Sequence, residues 1–184
     1  ALISHSGSGM AGIIDCDERI NFNLTVSAGQ ELSVGMHDYL DFALEMPTTQ
    51  VVGLFMETVR KPDLMIQAFA KAASKQIPIV VIKTGKTKRS AELTVSHSGA
   101  LAGSDDCHQA LFRKYGIQRV NDMDELAKTL IMFAQPHALA EGNLVTIHDS
   151  GGERQLILDL AADQEVDFAA LNSETVAKLE EILD

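Results

Sequence analysis

The 184-residue sequence is poor in cysteine and in basic residues, and it has no long apolar run. Its two cysteines, Cys16 and Cys107, stand far apart and outside any CxxC spacing, which argues against a disulfide framework and a metal site. The formal net charge of −11 and the lack of a dense Lys/Arg run argue against nucleic acid as a partner. No apolar stretch approaches the ~20 residues that cross a bilayer, and no signal peptide is recognisable, so we expect a cytoplasmic protein without a membrane partner.

What the sequence does contain is an alternation of short β-rich runs and longer segments of helical periodicity. This alternation predicts parallel strands joined by crossover helices in a doubly wound α/β sheet. The predicted strands cover residues 2–3, 22–26, 51–56, 79–82, 118–120, 144–147 and 167–169. The predicted helices cover residues 8–18, 34–44, 63–75, 101–115, 123–134, 152–162 and 174–183.

A segment without strong periodicity, residues 136–143, lies between two αβ series, and we interpret it as a linker. One domain is expected over residues 1–135. Residues 144–184 are expected to be the start of a second α/β domain that is cut short, because so few elements do not complete a doubly wound sheet. The first three residues read as the tail of a buried strand, so a preceding domain is also expected.

Three glycine-rich turns, at residues 4–9, 96–103 and 149–152, follow predicted strands and open predicted helices or loops. In such turns, backbone N–H groups, hydroxyls and the partial positive charge of a helix N-terminus can bind an anion. Small residues at strand ends also have a purely steric explanation. The candidate phosphate-binding residues are Ser4, Ser6, Gly7, Ser98, Gly99, Ser150, Gly151 and Gly152.

The second turn differs from the others because it contains His97. A neutral imidazole can attack a phosphoryl group and later release it, most effectively when a carboxylate fixes its tautomer. Glu57 directly follows the predicted strand 51–56, where functional residues of open α/β sheets gather, and is the candidate partner. From the residues alone, His97 could instead bond to neighbouring backbone, Glu57 could be a solvated carboxylate, and Lys83 could contact either phosphate or solvent.

The segment SHSGALAGSD, Ser96 to Asp105, resembles the SHTGALAGSD signature of the ADP-forming acetyl-CoA and acyl-CoA synthetases, a family related to succinyl-CoA synthetase. The resemblance implies a flavodoxin-like fold for the first domain and for the truncated second one. It also implies that His97 becomes phosphorylated and that Glu57 orients it. Further segments similar to the family's occur in the same order at residues 2–7, 26–30, 54–57, 81–85 and 144–152.

The resemblance assigns roles to the other two turns as well. It implies that the turn at residues 4–7 opens a helix whose N-terminus receives the phosphoryl group, and that residues 150–152 begin a second such helix. Three positions depart from the family pattern: His5 replaces Gln, Gln30 replaces Asn and Ser98 replaces Thr. His5 places a rival histidine in an anion-binding turn, but His97 is the favoured acceptor.

The implied reaction interconverts acyl-CoA, ADP and phosphate with the acid, CoA and ATP. The family's complete enzymes also contain a CoA-binding Rossmann domain and an ATP-grasp module, here expected on the same chain or a separate subunit of an oligomer. The full enzyme is expected to use ATP or ADP, magnesium and coenzyme A, with no cofactor bound within these residues. Two alternatives stay open: a regulatory homologue associated with protein acetylation, and a non-catalytic anion-binding or assembly domain.

Overall fold

The computed structural model describes residues 1–16, 20–135 and 142–183. The chain divides into two compact units, Ala1–Pro136 and His137–Asp184. Most of the linker predicted at 136–143 lies outside the described residues, as do the last two residues of the helix predicted at 8–18, so the domain boundaries stay a prediction. No helix in these described ranges is long and apolar enough to cross a membrane.

The first unit is built on a sheet of five strands. These are β1 (Leu2–Ser4), β2 (Thr25–Ser27), β3 (Val52–Met56), β4 (Ile79–Lys83) and β5 (Gln118–Val120). Their order is β2-β1-β3-β4-β5, and every neighbouring pair is parallel. This is the strand order of a flavodoxin-like doubly wound sheet, so the predicted fold class is confirmed.

Six helices connect or follow these strands in the described residues of the first unit. They are α1 (Gly7–Cys16), α2 (Met36–Glu45), α3 (Pro62–Ser74), α4 (Lys88–Ser98), α5 (Asp105–Tyr115) and α6 (Met123–Phe133). Local sequence fixes several of their ends. The Asp122 side chain accepts a hydrogen bond from the Glu125 N–H at the start of α6, and Gly116 ends α5 with a φ of 66°.

Apolar residues alternate between the two faces of the sheet, and each face has its own core. In β1, Ile3 packs into a cluster with α2, α3 and α5, whereas Leu2 packs into a cluster with α1 and α6. In β4, Val81 and Val80 divide in the same way. Because helices cover both faces, the central strands are apolar on both sides, as buried parallel strands are.

Helix α4 was not predicted, because it lacks the apolar stripe on which the predictions rest. Only Thr94 and Ser98 are buried along it. Its ends do carry sequence signals: the Thr87 side chain accepts a hydrogen bond from the Ser90 N–H, and Gly99 ends the helix with a φ of 66°. The helix predicted at 101–115 consequently begins later, at Asp105.

The second unit contains helices α7 (Gly151–Asp163) and α8 (Ser173–Leu183). The strands predicted at 144–147 and 167–169 meet in parallel at a single bridge, between Leu144 and Phe168, and form no longer ladder. The described residues of this unit include no further strand that could extend the pairing. Its apolar residues, including Ile147, are therefore largely exposed.

Candidate active site

The candidate functional residues of the first unit gather at the carboxyl edge of its sheet. The strand order reverses between β1 and β3, and ligands of open α/β sheets bind at such a switch point. His5 follows β1 and Glu57 follows β3, so these two residues lie on either side of the reversal. The His5 N–H donates to the Phe55 carbonyl oxygen at 3.0 Å, which joins the two strand ends.

His97 and Glu57 meet at this edge, as the sequence predicted. The Nδ1 atom of His97 lies 3.0 Å from Oε2 of Glu57. The His97 side chain is 73% exposed and that of Glu57 only 14% exposed. Since a carboxylate can only accept here, Nδ1 carries the proton and the lone pair of Nε2 is free. The backbone-bonded ring and the solvated carboxylate considered above are therefore not what the structure shows.

The backbone of Glu57 is held on both sides by side chains. Its N–H donates to Nδ1 of His5 at 2.9 Å, and its carbonyl oxygen accepts from Nζ of Lys83 at 2.9 Å. Lys83 also donates to the Thr84 carbonyl oxygen at 2.5 Å. Because β3 ends at Met56, the sheet itself no longer pairs this peptide, and these two side chains fix the carboxylate's position instead.

Lys83 is the last residue of β4, and it is only 2% exposed. The solvated loop lysine considered from the sequence is therefore wrong. Burial lowers the pKa of Lys83 to about 8, against the opposing influence of the Asp105 carboxylate. Its ammonium group donates hydrogen bonds to the carbonyl oxygens of Glu57 and Thr84, which follow β3 and β4 where strand pairing stops.

His5 is buried, and its two ring nitrogens already face protein groups. Nδ1 accepts the hydrogen bond from the Glu57 N–H, so the ring proton lies on Nε2, which is 3.4 Å from Oε2 of Glu31. A ring held in this way offers no exposed lone pair to a phosphoryl group. Of the two histidines that compete for the role, His97 has the free nitrogen.

The start of α1 has the donors of an anion site. The buried Ser4 hydroxyl donates to the Ser6 carbonyl oxygen at 2.7 Å and accepts from the Ser6 N–H at 3.1 Å, which shapes the turn. The Ser6 hydroxyl accepts from the Gly9 N–H at 3.2 Å and so caps the helix. The helix itself provides no acceptors for the N–H groups of Gly7 and Ser8, which lie in its first turn.

Ser98 and Gly99 do not form the anion-binding turn that was predicted. They lie at the carboxyl end of α4, where a helix presents carbonyl oxygens and partial negative charge. The Ser98 hydroxyl donates to the Thr94 carbonyl oxygen at 2.8 Å, and the Gly99 N–H donates to the Val95 carbonyl oxygen at 3.0 Å. Both donors are therefore used within the helix, and the prediction for these two residues is wrong in its geometry.

The third predicted turn does open a helix, in the second unit. Ser150 precedes α7, and its hydroxyl accepts from the Glu153 N–H at 3.5 Å. Gly151 and Gly152 form the first turn of that helix. These residues thus have the helix-start geometry that the sequence predicted, while their role in phosphate binding stays a prediction.

Three residues to which sequence reasoning gave no role at the site contact the His97 segment or its supports. Nη2 of Arg60 donates to the Ser98 carbonyl oxygen at 2.5 Å, and Nε2 of Gln30 lies 3.5 Å from the His97 carbonyl oxygen. Glu31 lies between Arg60 and His5. Only tertiary folding brings these side chains together, so no spacing in the sequence marks them. In the ranges that the structure describes, no group of three or more His, Cys, Asp or Glu residues could hold a metal ion.

Fold and geometry together define a flavodoxin-like α/β domain that presents a carboxylate-held histidine at its functional edge. The sequence profile described as "Succinyl-CoA ligase like flavodoxin domain" matches residues 1–133. The chain belongs to this family. The resemblance found from the sequence alone is therefore confirmed.

Relatives with assigned names match the whole chain but are much longer. The chain is 29% identical to acetate–CoA ligase [ADP-forming] I of Archaeoglobus fulgidus, with 100% of this chain and 27% of the relative covered. It is also 29% identical to subunit alpha of acetate–CoA ligase [ADP-forming] II of Pyrococcus furiosus, with 100% of this chain and 40% of that subunit covered. The chain thus corresponds to a portion of ADP-forming CoA ligases.

A solved structure shows the same fold. The dinucleotide-forming acetyl-coenzyme A synthetase 1 of Ca. Korarchaeum cryptofilum, in complex with phosphate and ADP, superposes with a TM-score of 0.78 at 25% identity. The match covers 98% of this chain and 39% of that one. As with the curated relatives, the chain spans well under half of the protein that it resembles.

Proposed function

We propose that this chain is the phosphoryl-relay part of an ADP-forming acyl-CoA synthetase. The observation that carries the proposal is the 3.0 Å contact between His97 Nδ1 and the Glu57 carboxylate, with the opposite ring nitrogen free in an exposed side chain. A ring fixed in this tautomer is a nucleophile at Nε2. The chain's place within ADP-forming CoA ligases supplies the reaction class.

The relay consists of three transfers. Phosphate first attacks the thioester of acyl-CoA, which gives an acyl phosphate and releases CoA. Nε2 of His97 then attacks phosphorus, the bond to the acyl oxygen breaks, and the free carboxylate leaves. The positive charge that develops on the ring during this transfer is stabilised by Glu57, which accepts the Nδ1–H hydrogen bond. Finally, the segment that carries His97 leaves Glu57 for the nucleotide, where the terminal phosphate oxygen of ADP attacks phosphorus and regenerates the neutral ring as ATP forms.

The start of α1 is the proposed phosphoryl site on the acyl side. The free N–H groups of Gly7 and Ser8 and the partial positive end of the helix suit a dianionic phosphoryl group. The bonds that join His5 to Phe55 and Glu57 bring this turn to the strand end that carries the catalytic carboxylate. Ser150, Gly151 and Gly152 at the start of α7 are proposed to play the corresponding part for a second phosphoryl position.

The remaining components are assigned to the parts of the full protein that this chain does not span. A CoA-binding Rossmann domain would hold the thioester, and an ATP-grasp module would hold the nucleotide. We assign Mg²⁺, which shields nucleotide phosphates, to that module as well. The separate alpha subunit in Pyrococcus furiosus is a precedent for division between chains. Oligomerisation and a cytoplasmic location stay predictions.

Phosphorylation of the full-length protein tests the assignment. With ATP labelled in its γ-phosphate, wild-type protein should acquire an acid-labile, base-stable label that His97→Asn abolishes. His108→Asn is the matched control, because the ring of His108 bonds through Nδ1 to the Ser104 carbonyl oxygen and takes no part in the relay. Label that persists in His97→Asn would rule out the assignment. Wild-type protein that binds phosphate without being labelled would favour a non-catalytic or regulatory homologue.

A further inference from the structure

The carboxyl end of α4, which carries His97, is attached to the rest of the unit by a side chain from another loop. We propose that Arg60, itself held by Glu31, is a positioning residue that latches this helix end and keeps His97 on Glu57. The inference rests on the proposed function and adds to it the contact that keeps His97 beside Glu57 while the phosphoryl group is transferred from the acyl phosphate. We call the pair of Arg60 and Glu31 the latch.

The latch acts on backbone that the helix leaves unpaired. The last carbonyl oxygens of a helix have no intrahelical donors, and water normally satisfies them when they are exposed. Here Nη2 of Arg60 donates to the Ser98 carbonyl oxygen at 2.5 Å. Gln30 approaches the adjacent carbonyl oxygen, that of His97, at 3.5 Å. A guanidinium at the negative end of the helix dipole is also electrostatically favoured.

Glu31 holds Arg60 from the buried side. Oε2 of Glu31 lies 3.7 Å from Nε of Arg60 and 3.4 Å from Nε2 of His5, and Oε1 accepts from the Met36 N–H. The Glu31 side chain is only 4% exposed. Burial alone would raise the pKa of Glu31, but the contacts with His5, the Met36 N–H and Arg60 lower it below its usual value.

The backbone of Glu31 supports a specific role for this side chain. Its φ is +53°, in the left-handed region that disfavours side chains with a Cβ. Strained residues of this kind persist where the surroundings fix them, and they gather at functional sites. Here the strained backbone directs a carboxylate into the space between His5 and Arg60.

Helix α4 depends on such a contact because its own packing is sparse. Only Thr94 and Ser98 are buried, whereas Leu93 and Val95 are exposed. A helix with so little apolar contact is expected to open locally at a low free-energy cost. Loss of the Arg60 bond would therefore let the segment leave Glu57 more often, without affecting either core of the sheet.

Hydrogen exchange in the full-length protein measures the latch without any catalytic step. We expect amide exchange in a peptide spanning residues 93–101 to accelerate by roughly tenfold in Arg60→Met, since a bond to a charged donor is lost. Lys61→Met removes the same charge from the neighbouring position and is the control. Glu31→Gln, which weakens the hold on Arg60, should act in the same direction, and Arg60→Lys should restore part of the protection. Unchanged exchange in Arg60→Met overturns the latch.

The two half-reactions give the functional readout. Labelling of His97 from acyl-CoA plus labelled phosphate requires the ring beside Glu57 and should slow roughly tenfold in Arg60→Met. In Arg60→Met, the rate of labelling from ATP, a reaction in which the segment is away from Glu57, should stay within about twofold of the wild-type rate. In Lys61→Met, the rates of both half-reactions should also stay within about twofold of wild type. Equal slowing of both half-reactions would show a general structural role, and slowing of neither would show no role; either result overturns the proposal.

These measurements also separate the latch from the proposed function. If wild-type protein is never labelled but exchange at residues 93–101 accelerates in Arg60→Met, the relay is wrong and the positioning contact stands. If wild-type protein is labelled and the variant matches it in exchange and in both half-reactions, the relay stands and the latch is wrong.

Discussion

Replacement of Glu57 by Gln isolates the charge of the carboxylate that holds the ring of His97. The amide oxygen can still accept the bond from His97 Nδ1, now 3.0 Å long, so geometry is largely kept while one negative charge is lost. Opposite unit charges about 4 Å apart attract by about 1 kcal/mol in water and by about 4 kcal/mol at an effective dielectric constant of 20. With His97 73% and Glu57 14% exposed, the pair lies between these limits. The ring bears only part of a charge in the transition state, so we expect a loss of about 1.4–2.8 kcal/mol.

This loss corresponds to phosphorylation of His97 that is roughly 10- to 100-fold slower. The assay is single-turnover labelling of the full-length protein from acyl-CoA and labelled phosphate, because that half-reaction places the ring on Glu57. Glu92→Gln, which removes an exposed carboxylate from the same helix as His97, is the control and should react at the wild-type rate. A Glu57→Gln rate within about twofold of wild type, or an equal loss in Glu92→Gln, would refute the reasoning.

Three further predictions concern the stability of the fold. An unfolded lysine keeps its proton to a pH of about 10.4, whereas folded Lys83, with a pKa of about 8, loses it earlier. The unfolded chain thus binds more protons between these pH values, so the free energy of unfolding increases by up to about 3 kcal/mol as the pH rises through that window. Urea unfolding should show that this increase is absent in Lys83→Met. A Cβ on Gly53 would lie 3.0 Å from Leu130 and 3.1 Å from Leu2, so Gly53→Ala should destabilise the fold by about 1–3 kcal/mol. Gly12→Ala, in α1, meets nothing within 4 Å and should stabilise it by about 0.5–1 kcal/mol in the same urea assay.

The centre of the sheet was predictable because β1, β3 and β4 bury both faces. The apolar runs at β3 and β4 have no exposed polar face, so they stand out clearly in the sequence. Helix α4 was missed for the opposite reason: with only Thr94 and Ser98 buried, it has no periodic apolar face to detect. That omission made the segment around Gly99 look like a turn that opens a helix, when it closes one.

The contacts of the candidate site also differ in whether the sequence predicts them. The pairing of His97 with Glu57 was predictable, because a distinctive motif marks the histidine and Glu57 follows a strand at the edge where ligands of open α/β sheets bind. The contacts of Lys83 and Arg60 were not, because each joins side chain to backbone across residues 26 and 38 positions apart in sequence. Such bonds depend on loop conformation, including the left-handed backbone of Glu31, which no local pattern predicts.

The ring nitrogen that carries phosphorus is the most direct test of the central claim. Full-length protein labelled with ¹⁵N is phosphorylated with acyl-CoA and phosphate, the half-reaction that places the ring on Glu57, and the ¹⁵N–³¹P coupling identifies the nitrogen and residue involved. Because Nδ1 of His97 is bonded to Glu57, we predict phosphorus on Nε2 of His97. Phosphorus on Nδ1 of His97, or on His5 or any other residue, would contradict the account.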